Sequence, residues 1–335
     1  MLFTMLFAFS GAVVATYLHI PMGEIFGSMV GVLLANKVSS RRLCIPRFSL
    51  IFIQLALGLS VGNLMDVNQF SDYINWQVAS GLMLCMALQV WFGYLWLSKV
   101  GQWTKSDSLL ASVPGAMAAI LVVLKDQDTP SPKVIFAHST RLVVLIMISG
   151  ILASYLDISV VKESVEVVSV GSMTGLLLVS IIATAVGFLL TKVGLAAPYI
   201  ITGLATAMLS NYWSIDLLYY TVPDLLISVS SVLLGALIAT NLQHIQRSEV
   251  LAYLRSGLAV TMISISVTVM MAFMYSLMVE QSFLVLLISW APGSLETMAI
   301  TALYLGLEPA FVMVNHVIRL TVLQMLPSMM GFKKS

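Results

Sequence analysis

Residues 256–279 read SGLAVTMISISVTVMMAFMYSLMV and contain no charged side chain. A helix needs about 20 mostly apolar residues to cross the hydrocarbon core of a bilayer, so this stretch predicts a transmembrane helix. Similar stretches recur along the 335-residue chain, in which 59% of residues are hydrophobic and 9% are charged. Soluble domains have roughly a quarter of their residues charged, so this composition excludes a soluble enzyme. The sequence predicts an all-α, polytopic membrane protein.

The apolar stretches predict ten transmembrane helices. They lie at about 1–18, 22–36, 48–65, 75–98, 133–154, 171–191, 197–211, 224–241, 256–279 and 310–330. Two further apolar segments, 107–124 and 282–305, each carry a Pro-Gly pair near the middle. Each of these segments is interpreted either as a re-entrant hairpin or as a crossing helix that is unwound at Pro-Gly. The hairpin is the favoured interpretation, because each arm is only about half the thickness of the bilayer core.

Charge and cysteine content exclude two classes of partner. The chain has 16 Lys+Arg against 15 Asp+Glu, so it has no basic field that would hold a nucleic acid. Its two cysteines, Cys44 and Cys85, form neither a CxxC pair nor a disulfide framework. We therefore predict no nucleic-acid partner, no thiolate metal site and no cofactor.

The sequence matches itself at an offset of 178 residues, which indicates an internal duplication. This offset aligns the two Pro-Gly pairs, and it also aligns His138 with His316 and Arg141 with Arg319. The predicted repeats are residues 1–155 and 171–332, and residues 156–170 connect them.

Loop charges indicate that the two repeats are inverted in the membrane. The loop after the second span holds Lys37 and three arginines, whereas its counterpart at 211–223 holds Asp216 and no base. Because cytoplasmic loops are enriched in Lys and Arg, matching loops of opposite charge lie on opposite sides. Each repeat then has five spans plus one Pro-Gly hairpin. The N-terminus and C-terminus are predicted to be cytoplasmic.

Charged side chains inside predicted spans are functional candidates, because burial in lipid is costly. Arg141 and Arg319 are predicted to lie near the midplane, where the hairpin tips also arrive. If Pro114-Gly115 and Pro292-Gly293 begin the second arms, their helix N-termini join the two arginines in an anion site. A structural alternative has each arginine neutralised by Glu296 or by hairpin carbonyl groups.

Glu296, His138 and His316 are predicted to couple the site to protons. Each histidine precedes an arginine by three residues and shares its helix face. In the alternative, Glu296 is the counter-ion of Arg319 and the histidines make structural hydrogen bonds. A metal site of His138, His316 and Glu296 is disfavoured, because two nearby arginines would oppose a cation.

These motifs resemble the membrane AbrB family. The resemblance rests on the run from Ala291 to Ile300 with His316 and Arg319, and on the copy that ends at Arg141. Where the family usually has Pro-Gly-Gly, this chain has Ala116 and Ser294 in the third position. The resemblance implies an internally duplicated inner-membrane protein that is similar in fold to cation/proton antiporters and anion transporters. The family carries the labels regulator of gene expression and putative ammonia monooxygenase, and the residues support neither as direct chemistry.

These observations predict a secondary transporter, not an enzyme. It would move a small anionic solute by alternating access, coupled or not to protons. Its partners would be the lipid bilayer, the solute and, if it oligomerises, a second copy of the chain. The alternative function is a membrane sensor or regulator whose solute site affects gene expression indirectly.

Overall fold

The computed structural model describes residues 1–20, 22–38, 43–46, 48–65, 75–114, 131–155, 170–193, 195, 197–213, 218–242 and 247–329. These residues form thirteen helices and no strand. In chain order the helices are α1 (Leu2–Tyr17), α2 (Gly23–Val38), α3 (Phe48–Asn63), α4 (Trp76–Lys99), α5 (Lys105–Ser112), α6 (Pro132–Tyr155), α7 (Val170–Lys192), α8 (Pro198–Trp213), α9 (Asp224–Leu242), α10 (Arg247–Ser276), α11 (Phe283–Trp290), α12 (Leu295–Leu305) and α13 (Pro309–Met329). The predicted all-α class is confirmed.

A helix lies at each of the ten predicted spans. Four helices are long and apolar enough to cross a membrane, and they comprise Trp76–Lys99, Pro132–Leu152, Met173–Lys192 and Leu251–Ser276. Several shorter apolar helices accompany them. Large apolar side chains such as Leu2 and Leu177 are exposed. A polytopic membrane protein accounts for both features, because lipid solvates apolar side chains while each helix satisfies its own backbone.

The largest boundary difference concerns α10, which begins at Arg247, whereas the apolar stretch begins at residue 256. Hydropathy locates the part of a helix that suits lipid. It does not detect the helical turns that precede that part, which here carry the charged residues Arg247, Glu249 and Arg255.

The Pro-Gly segments begin as matched short helices. α5 and α11 have eight residues each, and their first residues are 178 positions apart. Thr104 caps α5 by accepting from the backbone N–H of Asp107, and Ser282 caps α11 by accepting from that of Val285. Both helices stop before proline, which disfavours the α conformation in the preceding residue. The preceding residues, Val113 and Ala291, are extended, with ψ of 121° and 140°.

The chain folds into two compact units, and each takes residues from both predicted repeats. Unit 1 comprises Met1–Asp72, Ile148–Gln243 and Ala299–Ala310. Unit 2 comprises Tyr73–Met147, His244–Met298 and Phe311–Ser335. The units therefore do not follow the repeat boundaries, which stay a prediction.

Unit 1 is held together by glycines that let helices approach closely. A Cβ on Gly58 of α3 would collide with the carbonyl oxygen of Ile200 in α8. A Cβ on Gly235 of α9 would collide with the carbonyl oxygen of Ile25 in α2. Gly58 and Gly235 are 177 positions apart, and each packs on a helix of the other predicted repeat. Small residues at such contacts are the ordinary means of helix association in membranes.

Unit 2 contains both short helices. α4 packs against α10, α5 packs against α4, and α11 packs against α10. One core cluster of this unit joins Leu97 of α4, Ala111 of α5 and Val260 of α10 with two residues of α6, Val134 and Ala137. The candidate site residues predicted from the sequence all belong to unit 2.

Candidate functional site

Arg141 and Arg319 each bind the end of the short helix in their own Pro-Gly segment. The two terminal nitrogens of Arg141 donate to the carbonyl oxygens of Val113 and Ala111, at 3.0 and 2.7 Å. Those of Arg319 donate to the carbonyl oxygens of Ala291 and Gly293, both at 2.6 Å. A helix C-terminus carries partial negative charge on its free carbonyl groups, so a buried cation is stabilised there. These are the hairpin carbonyl contacts that the structural alternative predicted.

The two histidines bind the same helix ends one turn earlier. Nε2 of His138 lies 3.0 Å from the carbonyl oxygen of Leu110, and Nε2 of His316 lies 3.2 Å from that of Ile288. A carbonyl oxygen only accepts, so each Nε2 must carry the hydrogen. The histidines thus make the hydrogen bonds of the structural alternative, and their role in proton coupling stays a prediction.

Among the described residues, two of these contacts in each segment recur at the 178-residue offset, and Gly115, the counterpart of Gly293, lies outside those residues. Both histidine contacts recur at equivalent positions, and so do the contacts of Arg141 with Val113 and of Arg319 with Ala291. The remaining contact of Arg141 reaches back into α5. The remaining contact of Arg319 instead reaches past Pro292 to Gly293, so Arg319 holds the chain on both sides of that proline.

The turn after α11 corrects one expectation from the sequence. Pro292 does not begin the second arm, because α12 begins three residues later, at Leu295. Ser294 caps this helix, and its hydroxyl oxygen accepts from the backbone N–H of Thr297 at 3.1 Å. A capping hydroxyl satisfies a free N–H of the first turn, which proline at position 292 does not. Pro292 and Gly293 instead form the buried turn that Arg319 holds.

The first Pro-Gly segment is described only as far as its proline. Pro114 is buried and follows the extended Val113. Gly115 and the predicted second arm of this segment lie outside the described residues.

Glu296 lies in the first turn of α12 and is 6% exposed. The buried charged side chains among the described residues are Arg141, Glu296 and Arg319. Arg141 and Arg319 are also near enough for the positive charge of one to act on the other. With all three groups ionised, the buried charge of unit 2 sums to about +1 for this part of the chain. A carboxylate alone therefore does not balance the two guanidinium groups.

Buried polar atoms without hydrogen-bond partners concentrate in unit 2. Among the described residues ten side-chain atoms are of this kind, and only Thr4 Oγ1 and Ser49 Oγ belong to unit 1. The others are Ser108 Oγ, Ser139 Oγ, Arg141 Nε, Ser264 Oγ, Ser289 Oγ, Trp290 Nε1, His316 Nδ1 and Arg319 Nε. Native proteins leave few such atoms, and each calls for an explanation. Three of the eight atoms in unit 2 belong to Arg141, Arg319 and His316, so polar atoms that could bind a ligand or water are present on the side chains that hold the two short helices.

Sequence reasoning missed a buried polar cluster around Gln89. Its side-chain nitrogen donates to Thr268 Oγ1 at 2.8 Å and contacts the carbonyl oxygen of Trp290 at 3.3 Å and the sulfur of Cys85 at 3.2 Å. Gln89 comes from α4 and Thr268 from α10, so the cluster fixes the end of α11 from a second side. An amide within a predicted span was the available signal, because polar groups in lipid need partners.

No group of three His, Cys, Asp or Glu side chains in the described part of the chain is placed to hold a metal ion. The residue types that converge in unit 2 are instead cations and hydrogen-bond donors. Guanidinium groups in a buried setting are suited to carboxylate or phosphate oxygens.

Comparison with known proteins identifies the family. The family model described as transition state regulatory protein AbrB matches residues 25–332. No curated protein and no solved structure matches the chain. The matched segment contains the ten predicted spans apart from the first and the beginning of the second, and it contains both Pro-Gly segments. Because the match covers most of the chain, the protein belongs to the AbrB family, in its membrane form.

Proposed function

We propose that this protein is a non-enzymatic secondary transporter of the cell inner membrane that moves a small anionic solute by alternating access. One observation carries the proposal, namely that two buried arginines share unit 2 with a single buried carboxylate in the described residues. A buried charge that stays unbalanced is strongly unfavourable. An anion that enters the unit balances the excess, so its binding energy comes from groups already in place.

The arginines have donors available for such an anion. Each guanidinium has five N–H groups, and each uses its two terminal nitrogens on hairpin carbonyl oxygens. Nε of both residues has no partner in the described part of the chain. Carbonyl contacts hold the guanidinium planes in position, and the remaining donors bind the solute. The structural contacts and the binding role are therefore compatible.

Proton coupling follows from the same charge balance. When Glu296 takes up a proton, the buried charge rises from about +1 to about +2, and the attraction for an anion increases. Proton uptake and solute binding favour each other, as a proton-coupled transporter requires.

The test is a thermal-unfolding screen of the detergent-purified protein against acetate, lactate, succinate, sulfate and phosphate at pH 5.5 and 8. A solute at 100 times its Kd stabilises the folded state by about 2.7 kcal/mol. We expect stabilisation that weakens in Arg141→Lys and Arg319→Lys. Arg255→Ala removes an exposed arginine of unit 2 and is the matched control. If Glu296 couples the site to protons, a difference in stabilisation between the two pH values should be lost in Glu296→Gln while binding persists.

A second candidate function is a membrane sensor, which is favoured by the family's description as a regulatory protein. Uptake of the stabilising anion into proteoliposomes separates the two. Uptake that depends on Arg141 and Arg319 supports transport, whereas binding without uptake supports the sensor. If no anion stabilises a folded preparation at either pH, the proposed anion site is wrong for the transporter and for the sensor alike.

A further inference from the structure

The two nitrogens of the His316 ring differ in their surroundings. This ring is fully buried, and its Nε2 must carry the hydrogen because it meets the carbonyl oxygen of Ile288. In the neutral ring Nδ1 then has a free lone pair and is a hydrogen-bond acceptor. Nδ1 has no partner among the described residues. His316 therefore presents a buried acceptor within unit 2.

A donor on Arg319 accompanies this acceptor. Arg319 lies three residues later on the same face of α13, and its Nε–H is also buried without a described partner. Both side chains attach to the end of α11, His316 through Ile288 and Arg319 through Ala291. Those two carbonyl groups are one turn apart, so the two side chains run alongside each other. One acceptor and one cationic donor are thus held side by side.

These two groups select for a particular chemistry. An anion with only acceptor oxygens satisfies Arg319 Nε and leaves His316 Nδ1 unpaired. An anion that also carries a hydroxyl group satisfies both. An ammonium group would donate equally well, but Arg141 and Arg319 repel a second positive charge at this place.

We propose that the solute is a hydroxycarboxylate, whose carboxylate binds Arg319 and whose hydroxyl group donates to His316 Nδ1. This inference rests on the proposed anion site. It adds the class of solute and assigns His316 a specificity-determining role. A site built to hydrogen-bond a hydroxyl discriminates against the analogue that lacks it, because the buried acceptor is then left unpaired.

The experiment compares anions that differ by one hydroxyl group. The pairs are glycolate with acetate, lactate with propionate, and malate with succinate, each titrated against the purified full chain with thermal unfolding as the readout. We expect the hydroxylated member of at least one pair to bind roughly tenfold or more tightly than its partner. His316→Phe keeps a flat ring of similar size and removes Nδ1, together with the N–H that meets Ile288, and unlike glutamine it introduces no new acceptor oxygen. The variant should weaken the binding of the hydroxylated anion, so that the two anions of that pair bind with similar affinity.

His19→Gln changes an exposed histidine of unit 1 and should keep the preference of the wild-type chain. Equal affinities within every pair, or a preference that survives His316→Phe, would overturn this inference and leave the anion site intact. Failure of every anion to bind the folded wild-type protein would overturn the anion site, and the inference with it. Retained binding of the plain carboxylate in His316→Phe shows that the variant is folded.

Discussion

Replacement of Arg319 tests the most specific contact in unit 2. Its guanidinium donates to Ala291 and Gly293, one on each side of Pro292, at 2.6 Å. A single planar group thus bridges a turn in which the backbone N–H of Gly293 also donates to the carbonyl oxygen of Ala291, at 2.8 Å. We expect Arg319→Ala to destabilise unit 2, because two buried carbonyl groups lose their charged donor.

The magnitude follows from the two contacts. A hydrogen bond to a charged group contributes about 1.5–3 kcal/mol, so two contribute roughly 3–6 kcal/mol. Removal of the arginine also removes the cost of burying its charge, which brings the expected loss to the lower end, about 3 kcal/mol. The lysine ammonium group is a point charge that reaches one carbonyl oxygen, so Arg319→Lys should lower the free energy of unfolding by about half as much as Arg319→Ala.

The assay is unfolding of the purified protein in detergent, by heat and by denaturant, followed by tryptophan fluorescence. A loss of about 3 kcal/mol corresponds to a fall in Tm of about 6–12 °C for a unit of this size. Arg255→Ala, at an exposed position of α10, should stay within about 0.5 kcal/mol of the wild-type protein. The bridge is refuted if Arg319→Ala is no less stable than Arg255→Ala, or if lysine is as damaging as alanine.

Three further predictions concern other contacts. Gly62→Ala should destabilise unit 1 by about 1–3 kcal/mol, because the added Cβ would lie 2.6 Å from the Cβ of Ala207, and denaturant unfolding measures the loss. Gln89→Met should lose about 1–3 kcal/mol in the same assay, since it leaves the threonine hydroxyl and carbonyl group at the end of α11 without their donor; unchanged stability would contradict the cluster. Maleimide should label Cys44, which is exposed, and should reach the buried Cys85 only after unfolding, so mass spectrometry of the folded protein should show a single adduct.

The sequence was sufficient for features that depend on neighbouring residues. Apolar length predicts the helices, because a chain in lipid must satisfy its backbone within each helix. Proline at 114 and 292 predicts where α5 and α11 end, since the residue before proline is forced out of the α conformation. The start of α12 was also readable, because Ser294 and Thr297 form a local cap that competes with proline as the first residue.

Contacts between distant residues were decided only by the tertiary structure. The sequence placed Arg141 and Arg319 near the Pro-Gly segments and left open whether they bind a solute, Glu296 or hairpin carbonyl groups. Those partners are 26 to 30 residues away. Gln89 is 179 residues from Thr268, and no local pattern links them. Residue types and spacing are local properties that fix helices and their ends. The pairing of a buried donor with an acceptor depends on how helices pack, so only the folded chain determines which of the described polar atoms of unit 2 have a hydrogen-bond partner and which have none.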